Sequence, residues 1–160
     1  MKRMLFAGLA LALASLAGCS SEDDKSPYLE LRGGGFLFNY RIAEATGSLV
    51  VGPLRTLPAN SVIEVNFENP AGGPAIVLCK PVDPDDSKFD FNTPPLTGIV
   101  KDKPYQVTIR LLDKDGKELQ RIDKPFKSSL DQSILPEKPL VVGPVYTPNP
   151  ELQQKGSSGG

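Results

Sequence analysis

YQVTIRLLDKDGKELQRIDKPF, from Tyr105 to Phe126, has the clearest structural pattern in this chain. Apolar and polar residues alternate from Tyr105 to Leu111, as they do in a strand with one buried face. Asp115-Gly116 then marks a turn, and a second run continues to Phe126. A two-residue type I′ turn needs positive φ at both central positions, which Asp and Gly tolerate. The stretch therefore predicts a β-hairpin with a type I′ turn at Asp115-Gly116.

Pairing about that turn fixes which residues of the hairpin face each other. Ile109 then lies opposite Ile122 on the inner face, whereas Leu112 lies opposite Leu119 on the other face. Either the hairpin ends in apolar side chains on both faces, or a β-bulge shifts the register near the turn. The pattern leaves both alternatives open.

Further short strands are indicated before the hairpin. The candidates are Phe36–Ile42, Ser48–Val51, Ile63–Phe67, Ala75–Cys79 and Phe89–Phe91. Clusters of Gly, Pro and Asn separate them, as turns do. Ala75–Cys79 is apolar on both faces, which is typical of a central strand. Gly33-Gly34-Gly35 precedes the first candidate strand, and without a following Gly-Lys-Ser/Thr it indicates a flexible lead-in or a bulge rather than a phosphate loop.

This pattern predicts an all-β fold. About seven short strands, turns between them and a hairpin that starts with Tyr resemble an immunoglobulin-like or fibronectin type III-like antiparallel β-sandwich over residues 30 to 127. The Cys-Trp-Cys core of antibody domains is absent from the sequence. A jelly roll or a small barrel remains an alternative.

The N-terminus contains a processing signal. Met1-Lys2-Arg3 is basic, and Met4–Ala17 is apolar but shorter than the roughly 20 residues that a membrane-spanning helix needs. Leu16-Ala17-Gly18-Cys19 follows and resembles the lipobox of bacterial lipoproteins. The resemblance implies that residues 1–18 are a signal peptide and that Cys19 is lipidated and becomes the first mature residue. An ordinary secreted protein or an uncleaved anchor is the alternative.

The expected lipid determines the expected location. Several acyl chains on Cys19 would give a nearly permanent membrane attachment. Ser20 follows the cysteine, and in lipoproteins of Gram-negative bacteria the absence of Asp at this position favours the outer membrane. We therefore expect a lipid-anchored protein of the cell envelope, at the outer membrane and facing the periplasm.

Four segments are predicted along the chain. Residues 1–18 are the signal peptide, and residues 19–29 form a flexible polar tether. Residues 30–147 hold the β-sandwich domain with a C-terminal extension, and residues 148–160 form a disordered tail. Loss of residues 1–18 leaves 16 basic and 19 acidic residues, a net charge of −3 that does not favour nucleic acid as a partner.

No catalytic, cofactor-binding or metal-binding residues are predicted. The sequence contains no His, which excludes Ser-His-Asp and Cys-His nucleophile sets and His-dependent metal sites. Asp83-Pro84-Asp85-Asp86 has oxygen ligands for a hard cation, but a solvated turn is favoured. Asp113–Gly116 is similar to the middle of a calcium loop, but the first and last ligand positions hold Leu111 and Ile122. We expect neither an enzyme nor a cofactor.

Two further features bear on function. Lipidation of Cys19 would leave Cys79 as the only thiol, and its apolar neighbours predict a buried, inert side chain. Arg110 faces Arg121 across the predicted hairpin, and like charges at such positions repel. Either neighbouring acids such as Asp123 offset the repulsion, or an acidic or phosphate-rich partner uses the pair.

One short sequence occurs twice. Val50–Thr56 (VVGPLRT) is similar to Val141–Thr147 (VVGPVYT). If both were edge strands they could pair and return the C-terminal segment to the start of the domain.

Two functional classes remain. The first is a non-enzymatic interaction or assembly module that uses an edge at Leu49–Val51 or Val141–Val145. The alternative is a tethered carrier of a small ligand or an ion.

Overall fold

The computed structural model describes residues 26–153, so the predicted signal peptide, Cys19 and residues 154–160 lie outside the described range. Seven strands form the body: β1 (Leu29–Asn39), β2 (Glu44–Pro53), β3 (Val62–Phe67), β4 (Ile76–Pro81), β5 (Phe89–Asn92), β6 (Pro104–Leu112) and β7 (Glu118–Lys127). After them come a 3₁₀ turn (Gln132–Ile134), β8 (Val141–Val142), β9 (Thr147–Pro148) and a one-turn helix, α1 (Pro150–Gln153).

The seven strands make two antiparallel sheets that pack face to face. One sheet has the order β1-β2-β5 and the other the order β4-β3-β6-β7, while β8 and β9 form a separate two-stranded hairpin. The predicted all-β sandwich of about seven strands is confirmed. Alternate residues of β2, β3 and β6 are buried between the sheets, and each fully buried aliphatic side chain contributes about 1.5–3 kcal/mol.

A tyrosine closes one end of the sandwich. The buried Tyr105 hydroxyl accepts a hydrogen bond from the Val100 N–H (2.9 Å) and donates one to the Gly98 carbonyl (3.2 Å). Its ring packs edge-on against Phe36, with 5.5 Å between the ring centroids. A tyrosine at the start of this strand that bonds the backbone a few residues upstream is the tyrosine corner of immunoglobulin-like sandwiches.

The β6–β7 hairpin has the predicted strands, with a bulge near the turn. Ile109 pairs with Ile122, as expected, but the register shifts between Leu111 and Leu112. Leu112 therefore lies opposite Glu118, and Leu119 packs against the core instead. The bulge alternative is thus the one that the protein adopts.

The turn type predicted for the hairpin is wrong. Gly116 has a φ of 79°, but Asp115 is not among the residues with positive φ. The Asp113 carboxylate accepts hydrogen bonds from the N–H groups of Asp115 and Lys117, both at 2.9 Å, and the Gly116 N–H bonds the Asp113 carbonyl. A three-residue loop that ends in a left-handed glycine satisfies these groups, and a two-residue turn does not.

The position predicted for β4 is also wrong. β4 pairs only with β3 and is therefore an edge strand rather than a central one. Ile76 and Leu78 pack against the core, whereas Val77 and Cys79 point to the outer face. The Cys79 thiol is exposed, which contradicts the prediction of a buried side chain.

The glycine triplet lies inside β1 rather than before it. A register shift between Leu31 and Gly33 confirms the predicted bulge, but the predicted lead-in is wrong because β1 already starts at Leu29. Gly34 faces the core, where a Cβ would lie 2.6 Å from the Phe126 ring. The chain needs glycine there so that this ring can cross β1.

The C-terminal segment is ordered further than predicted. Residues 148–153, expected in a disordered tail, include the end of β9 and helix α1. The two similar sequences do not pair, because β2 lies between β1 and β5 and β8 pairs with β9. The segment nevertheless returns to the start of the domain, since the N–H groups of Leu140 and Val141 donate to the Arg41 carbonyl at 2.8 and 3.1 Å.

Candidate interaction surface

The two ends of the sandwich are built from different parts of the chain. We call the end where Leu29 pairs with Pro53 the N-terminal end, because the chain enters there. The distal end holds the β1–β2 turn and the segments that flank Tyr105 and follow Lys127. β1 runs between the two ends over 11 residues, a length of about 35 Å.

Large apolar side chains are exposed at the distal end. We call this group the apolar tip; the exposed fraction of its members lies between 37% and 81%, and they are Leu37, Tyr40, Leu140, Val142, Val145 and Tyr146. Two members come from the β1–β2 hairpin and four from the β8–β9 hairpin. Large apolar side chains that are exposed at one end of a small domain make that end a candidate contact site.

Specific polar contacts hold the two hairpins together. The Arg41 guanidinium lies 4.8 Å from the centroid of the Tyr146 ring, in addition to the bonds at the Arg41 carbonyl. The buried Asn149 donates from its side chain to the Pro139 carbonyl (2.8 Å) and from its N–H to the Leu140 carbonyl (2.9 Å). The apolar tip is therefore a structured surface rather than a loose tail.

A groove lies beside the apolar tip. Its volume is about 460 Å³, and residues of the β1–β2 hairpin line it, including Leu37, Tyr40, Ile42, Arg41 and Glu44. Open grooves of this size accept small molecules as well as protein side chains. The walls are mainly apolar, with one positive and one negative side chain.

Edge strands differ in how they are protected. β4 ends in Lys80 and Pro81, β5 has only four residues, and β7 carries Lys124 and Pro125. Lysine, proline and short length are the usual means by which proteins prevent pairing with another chain. The distal half of β1, Gly33–Asn39, has no charged residue and no proline, so it is the least protected edge in the described part of the sandwich.

The sequence left two edges as candidates for binding, and the structure supports only part of that expectation. Leu49–Val51 is not an edge, because it lies in the middle of its sheet and its Leu49 and Val51 side chains are fully buried. In the other candidate, Val141–Val142 is paired with β9, while Val145 is the most exposed member of the apolar tip.

Carboxylates of the fold form ion pairs with both arginines of the predicted Arg110–Arg121 pair. Arg110 does face Arg121, but its guanidinium bonds Glu64 and lies 3.8 Å from Glu118. Arg121 bonds Asp123 at 2.8 Å. The Arg110 hydrogen bond holds the pKa of Glu64 below its ordinary value, and Arg121 does the same for Asp123. The repulsion is therefore offset within the fold, so the pair offers no free charge to an acidic partner.

The acidic segment Asp83–Asp86 forms a hydrogen-bonded turn. The Asp83 carboxylate accepts a hydrogen bond from the Asp85 N–H at 3.0 Å. No group of three or more Cys, Asp or Glu side chains is placed to hold a metal ion within residues 26–153. Over the same residues, no helix has the length and apolar character needed to cross a bilayer.

The sequence revealed only part of the apolar tip. It named Val141–Val145 as a candidate edge, but it did not predict that this segment lies beside the β1–β2 turn, about a hundred residues earlier in the chain. The signal that was visible was the Asn-Pro at Asn149-Pro150 and the Gly-Pro at Gly143-Pro144, both typical of turns. Their contact with Arg41 depends on tertiary packing.

Comparisons with known proteins add little. No protein-family model matches the sequence, and no curated protein matches it either. The fold is similar to part of a crystal structure described as a "putative beta-galactosidase from bacteroides fragilis", with a TM-score of 0.41 and 15% sequence identity. The similar region covers 60% of this chain and only 16% of that chain. The similarity does not bear on function.

Proposed function

We propose that this protein is a lipid-anchored component of the bacterial cell envelope that binds another envelope protein and catalyses no reaction. The anchor rests on the lipobox at Leu16–Cys19, and Ser20 favours the outer membrane. The binding role rests on the apolar tip, which is the observation that carries the proposal.

Exposure of the apolar tip to water is unfavourable in free energy, and this favours binding. Each Å² of apolar surface removed from water contributes about 25 cal/mol, so covering several of these side chains would stabilise a complex substantially. Backbone hydrogen bonds and the Arg41–Tyr146 contact hold the segments that carry these side chains, so little ordering of the backbone would be needed on binding.

The length of the tether determines how far from the anchoring membrane the apolar tip can reach. Seven residue steps separate Cys19 from Ser26, which span about 25 Å at most. Ser26 leads into the N-terminal end, and the apolar tip lies about 35 Å further along β1. When the domain stands away from the membrane, the tip reaches into the envelope space. Anchoring would also raise the effective concentration of a partner held at the same membrane.

The second candidate function is a tethered carrier. The observation in its favour is the groove of about 460 Å³, whose apolar walls include Arg41 and Glu44. An amphipathic small molecule with a charged group would fit this chemistry. Native mass spectrometry of the protein extracted from membranes distinguishes this candidate, because a carrier would retain a small ligand.

Lipidation is tested by intact mass. The membrane-extracted protein should lack residues 1–18 and carry acyl mass on Cys19, and a Cys19→Ala variant should leave the membrane fraction. Membrane retention of a processed Cys19→Ala variant would contradict the anchor.

Binding is tested by crosslinking in intact cells, followed by mass spectrometry of the captured proteins. A Leu37→Lys/Val145→Lys variant places two charges on the apolar tip and should lower capture of the partner about tenfold, since charged groups oppose burial. Leu54→Lys is the matched control, because Leu54 is 49% exposed, close to the 58% of Leu37, but lies at the N-terminal end. Equal capture by all three proteins, or a retained ligand without any partner, would contradict the proposal.

A further inference from the structure

The ion pairs of the β6–β7 hairpin are concentrated near its turn. Near the turn, Lys114 bonds Asp115 at 2.6 Å, and Arg110 and Arg121 are held by the carboxylates described above. Lys117, also near the turn, has no ion pair with a described residue, and neither have the lysines at the distal end of this hairpin and in the segment that leads into it. We call these residues the lysine end, and they are Lys101, Lys103 and Lys127.

The backbone brings the three lysines to one junction. Pro104, which follows Lys103, pairs with Lys127 at the start of the β6–β7 ladder. Lys101 forms a bridge with Ser128, and the Asp102 N–H donates to the Ser128 carbonyl at 2.8 Å. All three side chains are exposed. These backbone contacts place Lys101 and Lys103 next to Lys127, although they are distant from it in the sequence.

Nearby acids do not neutralise the lysine end. No carboxylate of residues 26–153 lies within ion-pair distance of the three ammonium groups, although Lys103 lies 5.0 Å from the Tyr105 ring centroid. Two acids belong to the same region. Asp102 is exposed, and the Asp131 carboxylate accepts hydrogen bonds from the N–H and hydroxyl of Ser133 at 3.1 and 2.9 Å and from the Lys101 N–H.

Apolar side chains accompany these lysines. Val100 and Ile134 are 48% and 43% exposed, and a bond from the Gln132 N–H to the Ile99 carbonyl fixes the 3₁₀ turn beside this segment. Apolar contacts with a charged rim are typical of protein interfaces. The lysine end and the apolar tip lie at the same end of the sandwich.

We infer that the lysine end binds an acidic segment of the partner protein, so that carboxylates of the partner meet Lys101, Lys103 and Lys127. This inference rests on the proposed function and names the chemistry of the partner. Charge complementarity selects an acidic ligand. The proposed function makes the occupant a protein, and the vesicle measurement below tests the anchoring membrane as the alternative. The acids of the chain's own residues 22–24 do not reach the lysine end. They are at most four residue steps from Ser26, about 15 Å, whereas β1 spans about 35 Å between the two ends.

The first test uses poly-L-glutamate as the acidic probe and the full-length lipidated protein in a neutral detergent. At about 50 mM NaCl the protein should bind the probe, and at about 300 mM NaCl the affinity should fall severalfold because the Debye length shortens. Lys101→Gln/Lys103→Gln/Lys127→Gln should weaken binding about tenfold. The matched control, Lys114→Gln/Lys117→Gln, changes two lysines at the turn and should bind like the unmodified protein.

Equal losses in the two variants, or no binding of the probe, would overturn the inference. Vesicles serve as the competing probe for the Cys19→Ala protein, which carries no acyl chains and needs no detergent. Binding to vesicles that contain phosphatidylglycerol, but not to vesicles of phosphatidylcholine alone, that is stronger than binding to poly-L-glutamate would also overturn the inference. Crosslinking in cells separates the two levels. A partner captured equally well with and without the three lysines would leave the proposed function standing and the inference refuted, whereas absence of any partner would refute the proposed function itself.

Discussion

The two ends of the sandwich use their polar and apolar groups in opposite ways. At the N-terminal end, the Gln120 side chain accepts bonds from the N–H groups of Tyr28 (2.6 Å) and Leu29 (2.9 Å) and donates to the Leu29 carbonyl (2.8 Å). It thereby joins β7 to β1 and closes the gap between the two sheets. At the distal end, the side chains of the apolar tip are exposed, and Lys101, Lys103 and Lys127 have no ion pair with a described residue.

This difference shows where the protein has capacity to bind. Groups that are satisfied inside the fold stabilise the native state but offer nothing to a partner. Groups left exposed give no stability and can gain free energy only on association. The predictions below test whether residues at the two ends, and on the two faces of β1, separate in this way.

The largest effect is expected from a charge in the core. Val51→Lys places an ammonium group at a fully buried position of the central strand β2 and should destabilise the domain by more than about 4 kcal/mol. Val145→Lys in the apolar tip should change stability by no more than about 0.5 kcal/mol. Urea unfolding of Cys19→Ala proteins measures both, and a comparable loss for Val145→Lys would show that the tip is structural.

A smaller effect is expected on β1. Gly34→Val should cost about 3 kcal/mol, because its side chain would overlap the Phe126 ring and the Leu49 side chain. Gly35→Val is the matched control, since no atom lies within 4 Å of a Cβ at Gly35. It should be neutral or stabilise by roughly 0.5 kcal/mol, because glycine is unfavourable in a strand. Thermal unfolding distinguishes the two variants, and equal losses would contradict the assigned faces of β1.

Loss of the N-terminal closure should cost somewhat less. Gln120→Ala removes three hydrogen bonds and leaves backbone groups of Tyr28 and Leu29 without their partner, so we expect a loss of about 2 kcal/mol. Limited proteolysis should show faster cleavage near residue 29. Crosslinking at the apolar tip should be unchanged under conditions where the variant stays folded, and its loss would show that the two ends are coupled.

The smallest effect concerns pH. The Arg110 hydrogen bond lowers the pKa of Glu64 from its ordinary 4.5, so the ionised carboxylate contributes stability at neutral pH. That contribution is lost as pH falls through the lowered pKa, below about 4.5. Glu64→Gln should therefore cost about 1 kcal/mol or less at pH 7, with a difference from the unmodified protein that shrinks in acid. A difference that grows as pH falls would contradict the assigned pair.

Local patterns in the sequence were enough to predict most of the fold. The alternation from Tyr105 to Leu111 and the pairing of Ile109 with Ile122 follow from the period of a strand. The turn type could not be predicted from Asp115-Gly116 alone, because the Asp113 side chain fixes the loop through two hydrogen bonds. Dipeptide rules do not include such a cap.

Strand positions within the sheets were harder to predict. Ala75–Cys79 is apolar on both faces in sequence, yet β4 is an edge strand with Cys79 exposed, because composition does not say how many neighbours a strand has. The opposite error was made for Leu49–Val51, which was predicted to be an edge but lies in the middle strand of its sheet. The candidate site was hardest of all, since the β8–β9 segment reaches the β1–β2 turn only through tertiary contacts at Arg41.

Site-specific photo-crosslinking in intact cells tests the central claim most directly. A photoreactive amino acid would replace Val145 at the distal end or Leu54 at the N-terminal end, each in the full-length lipidated protein. The account predicts that Val145 gives a discrete crosslink to an envelope protein and that Leu54 gives none to that protein. Crosslinks to the same protein from Leu54 but not from Val145 would contradict it.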